Sequence, residues 1–284
     1  MNRNPARARA VSRVLLPLFL LAGASGAALA AEKEKIVLAV CEGTFSGASP
    51  SELVDKYRPI ADVIGKALKS PVMISPVCDF KRLESGIKED RFDFVMARPS
   101  DYTARAIRDS GYRSVAQVVP DVSCVYVVPK DSPLKTLAEV KGKRVALPGK
   151  SSYMGQLCIA ELRDNGCDAA NKAQFVKEQS VVMYQLKEGN GDVGGVSSHS
   201  KAVEPAALAK AGFRELGRSR PQPYFPVIAS KRMTDAQVDA VRKELVGLSE
   251  SPAGQAVLAK AGLGGYAPGS EQKMKDLLTW LEKK

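Results

Sequence analysis

The sequence predicts two α/β lobes, each built on a mainly parallel sheet, with the chain crossing between them twice. Three observations carry this expectation. Short continuous apolar runs, of the kind that fill a strand buried on both faces, alternate with amphipathic stretches along most of the chain. Helix-start signals recur just ahead of those stretches. Two α/β series are set apart by the β-branched run Ser123-Cys124-Val125-Tyr126-Val127-Val128 and by a Pro- and Arg-rich segment over 213–230. The composition, 45% hydrophobic and 26% charged over 284 residues, excludes a disordered or collagen-like chain and leaves room for two lobes.

The first thirty residues read as an address. Arg3, Arg7, Arg9 and Arg13 charge the start, and no acid occurs before Glu32. The apolar run from Val14 to Ala22 follows, then small residues ending in Ala28-Leu29-Ala30. A basic start, a short apolar core and an A-x-A site form a secretory signal cut after residue 30. A membrane anchor needs about 20 apolar residues, which this run lacks. A periplasmic, exported protein is expected. Loss of this segment removes four basic residues and no acid, so the net charge falls from +11 to +7.

Beyond the signal, Ile36-Val37-Leu38-Ala39-Val40-Cys41 is a buried strand, and Ser49-Pro50-Ser51-Glu52 is a capping box that opens a helix. Pro59 then suits the first turn of a main helix, on which Ile60, Val63, Ile64 and Leu68 share a face. Residues 71–78 and 92–97 give the second and third strands, with helices over 80–89 and 100–109, completing a βαβαβα series. Lys143-Arg144-Val145-Ala146-Leu147-Pro148 begins the second series, with helices near 152–165, 180–189 and 201–210. Thr234-Asp235-Ala236-Gln237 is another capping box, and Ser270 caps a last helix carrying Leu277, Leu278 and Trp280. The crossings fall near 122–128 and 217–226. Lobe 1 is therefore 31–123 plus 222–284, and lobe 2 is 124–221, with the cleft between them as the ligand site.

Several chemistries are excluded or disfavoured. The one histidine, His199, forbids a multi-histidine metal site, and neither a C-x-x-C-H nor a G-x-S-x-G sequence is present. An enzyme, a cofactor and a bound metal are not expected. Lys and Arg are scattered among acids without the basic stripe of a nucleic-acid binder.

Four groups of residues are similar to a known family. They are Tyr57-Arg58-Pro59-Ile60; Asp93 with Pro99 and Tyr102; the stretch from Lys130 to Leu137; and Lys141-Gly142-Lys143-Arg144-Val145-Ala146. Together they resemble the phosphonate-, phosphite- and phosphate-binding branch of the periplasmic solute-binding proteins that serve ABC transporters. The resemblance implies the type II periplasmic fold, whose two-segment hinge lets the lobes close on a small anionic solute. It implies a monomer that presents this solute to an inner-membrane permease.

Pro148-Gly149-Lys150-Ser151-Ser152-Tyr153 lies between a strand and a helix. By itself it reads as a serine N-cap; the resemblance makes Ser151 and Ser152 a cradle for oxyanion oxygens, with Tyr153 where the family continues differently. The family's histidine position falls at Ser180, and the acids that hold an amino group in aminophosphonate binders fall at Ser200 and Phe225. A buried ammonium would then lack a partner, which disfavours 2-aminoethylphosphonate. In the first lobe Arg98 ends the third strand, where open α/β sheets bind ligands. Tyr102 and Tyr57 offer hydroxyls. Asp192 shapes a turn, and His199 sits in a polar loop and is expected to be solvated.

Five cysteines, 41, 78, 124, 158 and 167, follow the signal. Cys41 and Cys78 both end strands that a right-handed βαβ unit places together, so a disulfide joins them, or they face the cleft as thiols. Cys124 is read as a buried apolar residue or as a third thiol, and a Cys158–Cys167 bridge is disfavoured. Three thiols would favour arsenite or a soft metal, which defines the alternative: a periplasmic sensing subunit signalling to a membrane kinase.

Overall fold

The computed structural model describes residues 35–43, 47–77 and 79–283. The expected signal segment and Cys78 lie outside these residues. The chain runs β1 (Ile36–Cys41), α1 (Pro50–Leu68), β2 (Val72–Pro76), α2 (Phe80–Lys88), β3 (Phe94–Ala97), α3 (Ser100–Ser110) and β4 (Arg113–Val122). It then passes into β5 (Cys124–Pro129), β6 (Val145–Pro148), α4 (Tyr153–Asp164), α5 (Ala169–Lys172) and β7 (Gln174–Val176). After α6 (Gln179–Lys187), β8 (Val193–Ser197), α7 (Pro205–Lys210) and β9 (Phe213–Arg218), it returns through β10 (Gln222–Ala229). The end is α8 (Asp235–Val246), α9 (Pro252–Ala261), β11 (Tyr266–Pro268) and α10 (Glu271–Leu281).

Two sheets result, in the orders β11-β4-β10-β3-β1-β2 and β7-β6-β8-β5-β9. Parallel pairing holds where helices supply the crossovers: β1 with β2 and β3, and β6 with β7 and β8. The rest of the pairing is antiparallel, so each sheet is more mixed than the expected, mainly parallel one. The reason lies in the connection. β4 runs into β5 across Ser123, and β9 runs into β10 across 219–221, with no helix between them. β4 pairs with β10 in one sheet and β5 with β9 in the other, so these four strands form an antiparallel ribbon shared by both. At the crossing, Ser219 N donates to Cys124 O at 2.8 Å, and Ser219 Oγ accepts from Cys124 N at 2.9 Å.

The Pro- and Arg-rich segment contains β9, which is mostly polar, and β10, which prolines had obscured. Pro223 and Pro226 sit in a strand flanked by β4 and β3, a place prolines normally avoid. The register of β10 against β4 shifts on either side of Tyr224, and those bulges accommodate residues that cannot donate to the ladder.

The capping boxes at Ser49 and Thr234 both form, and Ser270 Oγ accepts from Lys273 N at 3.2 Å. Helix α1 buries Leu53, Tyr57, Ile60, Ala61 and Ile64 against the first sheet. Helix α10 buries Met274, Leu277, Leu278 and Trp280 in a cluster shared with Leu157 and Leu162 of α4 and Ala104 of α3. Trp280 Nε1 donates to Asp164 at 2.8 Å, fixing the last helix to the end of α4. No helix among the described residues is long and apolar enough to cross a membrane.

The cysteine expectations need correction. Cys124, at the start of β5, is bonded to Cys158 of α4, with Cα atoms 5.3 Å apart. It is neither an isolated apolar residue nor a third thiol. Helix α4 lies over the second sheet and turns Cys158 inward, a facing that chain distance does not disclose. Cys167 stays apart, its Sγ lying 3.7 Å from the carbonyls of Leu137 and Asn165. Cys41 is fully buried in β1.

Candidate anion-binding cleft

A cavity of about 590 Å³ opens between the two sheets, and its polar wall comes from the carboxyl ends of parallel strands. Glu42 follows β1, Phe80 opens the helix after β2, and Arg98 follows β3; from the second sheet come Ser152 after β6, Gln179 after β7 and Ser197 at the end of β8. Open α/β sheets leave a crevice at this edge, because strands stop there while helices turn back.

The strongest charges meet at Glu42. Only 3% exposed, its Oε1 accepts from Lys56 Nζ at 2.6 Å, from the hydroxyl of Tyr57, and from Arg98 Nη2 at 3.5 Å. Burial pushes the Glu42 pKa upward, but Arg98, Lys56 and Tyr57 outweigh it and hold the carboxyl below its ordinary value. Arg98 is 28% exposed, lies 5.8 Å over the ring of Tyr224 and 5.3 Å over that of Phe225, and its buried Nε has no hydrogen-bond partner among the described residues. Its backbone is fixed by Arg98 N donating to Cys41 O at 2.8 Å. With Glu42 ionised between two cations, this corner keeps one net positive charge.

Opposite stands the N-terminus of α4. Ser152 Oγ accepts from Gly155 N at 3.1 Å and lies 2.7 Å from Gly149 O, to which it donates. The hydroxyl is therefore committed to capping the helix. The backbone N–H groups of Tyr153 and Met154, both on the cavity wall, are first-turn donors without intrahelical acceptors. Gly155 permits this turn: a Cβ there would stand 2.3 Å from Gly149 O. The first turn of α6, with Gln179 and Ser180, lines the same side, and Gln179 Oε1 accepts from Ser197 N at 2.7 Å.

Of the residues expected at the site, Arg98, Ser152, Tyr153 and Ser180 line the cavity, whereas Ser151, Tyr102 and Tyr57 do not. Ser151 is exposed. Tyr102 stacks behind Phe80 at 5.2 Å, under the Arg105 guanidinium at 4.7 Å from its ring. Tyr57 is fully buried and reaches the cavity only through Glu42. Tyr153 donates its hydroxyl to Pro223 O at 2.9 Å. His199 lines the cavity as an exposed side chain, stacked 4.0 Å from Tyr224. Asp192 pairs with Arg144 at 2.6 Å and accepts from its backbone N–H, shaping a turn.

The sequence reading missed Glu42, Phe80, Glu178 and Gln179. Glu42 was open to the rule that singled out Arg98, since it directly follows an apolar strand. Ser200 does line the cavity, but Phe225 is buried in the core. Two carboxylates do line the cavity, Glu42 after β1 and Glu178 before α6, at neither of those positions.

Two sheets sharing an antiparallel ribbon, with a polar cleft at their strand ends, define a two-lobed solute-binding protein. A family model for the periplasmic substrate-binding proteins of phosphonate ABC transporters matches residues 43–274, and the chain belongs to that family. Its members are binding components, not enzymes, and they act in the periplasm with ABC transporters.

Solved structures agree on the fold. A Xanthomonas citri protein, determined with chloride and separately with ATP, is 18% identical over 87% of this chain and 97% of its own, with a TM-score of 0.70. PhnD1 from Prochlorococcus marinus, determined with methylphosphonate, is 14% identical over 87% of this chain and 99% of its own, at 0.64. A binding component of an ABC phosphonate transporter from Pseudomonas aeruginosa is 15% identical over 88% and 87%, at 0.62. Comparison with curated proteins finds no match.

Proposed function

We propose that the protein captures a small oxyanion of the phosphonate, phosphite or phosphate type in the cleft and presents it to an inner-membrane ABC permease. The carrying observation is that Arg98, after a strand of the first sheet, and Tyr153 and Met154, in the first turn of α4, line one cavity. Charge-assisted donors of these two kinds suit oxyanion oxygens. Ser180 and His199 close the site from the second lobe, while Ser152 organises it through the backbone. Residues 1–30 export the chain and are removed, and the mature protein acts as a monomer. Residues 124–221 move as one lobe against 31–123 plus 222–284, bending at the shared ribbon.

Closure fits the size of the space. At about 30 Å³ per water, the cavity has room for roughly twenty waters, and the five heavy atoms of methylphosphonate fill a fraction of it. Contact with both walls at once therefore requires the lobes to approach, and a ligand that touches both stabilises that form. Oxidation of Cys124 removes one sulfur from the rival arsenite site, and no observation favours the sensor reading over transport. Calorimetric titration with methylphosphonate, phosphite and phosphate tests the proposal. One of them should bind, and Arg98→Ala should weaken it by about tenfold or more. Failure of all three to bind sinks the reading.

A further inference from the structure

An anion site does not ordinarily place a carboxylate beside its cation, yet Glu42 is locked there. Lys56 and Tyr57, both on α1, and Arg98, at the end of β3, send their bonds to one oxygen, Oε1. Oε2 takes none of these three. The nearly buried side chain is thus fixed through one oxygen while the residue forms part of the cavity wall. Glu178, the other cavity carboxylate, is exposed on the facing wall and screened by water.

We infer that Glu42 makes the cleft selective for an oxyanion that still carries an acidic proton, the solute's O–H donating to Glu42 Oε2 while its charged oxygens take Arg98 and the helix amides. This rests on the oxyanion reading above and narrows it. A carboxylate can only accept. It bonds an anion that presents an O–H, and against one whose oxygens are all bare it leaves two acceptors in contact with no proton between them. That penalty needs no steric difference between solutes, because one proton decides it. Tyr57 and Lys56 act as positioning residues that hold Oε1, and together with the charge of Arg98 they keep Glu42 ionised and hence an acceptor.

Methylphosphonate and methanesulfonate isolate this effect. At mildly acid pH both are monoanions of nearly the same shape, and only the phosphonate has an O–H. Titrated against the intact protein, methylphosphonate should bind about tenfold or more tighter, the range of a hydrogen bond to a charged group. Glu42→Gln supplies an amide N–H that bare oxygens can accept, so the variant should gain affinity for methanesulfonate and compress the ratio to a few-fold. A misfolded variant cannot gain affinity. Equal binding of the two anions by the native protein, or an unchanged ratio in a Glu42→Gln protein that still binds, overturns the inference and leaves the oxyanion reading standing. If neither these two nor phosphite and phosphate bind, the oxyanion reading itself falls, and the inference with it.

Discussion

The hydroxyls of Ser100 and Tyr153 donate to the same acceptor, the carbonyl of Pro223, at 2.8 and 2.9 Å. Ser100 opens α3 beside the first sheet, Tyr153 opens α4 beside the second, and Pro223 lies in β10 just past the crossing. One carbonyl in the shared ribbon thereby ties together the two helix starts that border the cleft.

Tyr153→Phe tests this tie. Pro223 O keeps its bond from Ser100, so no buried carbonyl is left bare and the loss should be modest, about 0.5–1.5 kcal/mol in urea unfolding. Ligand affinity should change as well, because the α4 amides lose an anchor. A variant with native stability and native affinity would show that the tie is decorative.

The Cys124–Cys158 disulfide spans 34 residues and joins the hinge strand to α4. Chain-entropy arguments assign a loop of that length about 3–4 kcal/mol. Reductant, or the double replacement Cys124→Ala with Cys158→Ala, should lower the melting temperature by several degrees at about 2–4 °C per kcal/mol. Melting that is insensitive to reductant in the native protein, with the double variant equally stable, would contradict the bridge.

Acid should destabilise the fold partly through Glu42. Its carboxyl is held below the ordinary value when folded, so the unfolded chain takes up this proton first as pH falls. The stabilisation is complete above the ordinary Glu pKa of about 4.3 and is lost as pH drops through the lower folded value. Urea midpoints from about pH 6 to about pH 3 should fall more steeply for the native protein than for Glu42→Gln. Parallel slopes would remove Glu42 from the acid transition.

Local signals were legible wherever a residue acts on its own neighbourhood. Ser49, Thr234 and Ser270 cap the helices they announce, because capping needs only a side chain and a backbone N–H three residues on. Arg98 was found from its place at a strand end. Strand β10 was not, since Pro223 and Pro226 mask the pattern and the bulges that tolerate them arise only in the assembled sheet, nor was β9, whose Phe213-Arg214-Glu215-Leu216-Gly217-Arg218 has too few apolar residues to announce a strand. Tyr102 and Tyr57, read as hydroxyls offered to the cleft, lie one layer behind it, against Phe80 and Glu42, for a hydroxyl in a sequence carries no direction.

The sequence by itself determined the alternation of strands and helices, the two series, and the family. The first two rest on periodicity and on short-range chemistry, which neighbouring residues settle among themselves; the family rests on the resemblance of a few motifs such as Tyr57-Arg58-Pro59-Ile60. Only the tertiary structure decided that Cys124 meets Cys158, that Ser152 spends its hydroxyl on its own helix, and that Glu42, Tyr57 and Arg98 converge on one oxygen. Those outcomes depend on which faces of separate elements are pressed together. Burial then fixes the partners, because a polar or charged group removed from water must bond whatever the packing has brought within reach.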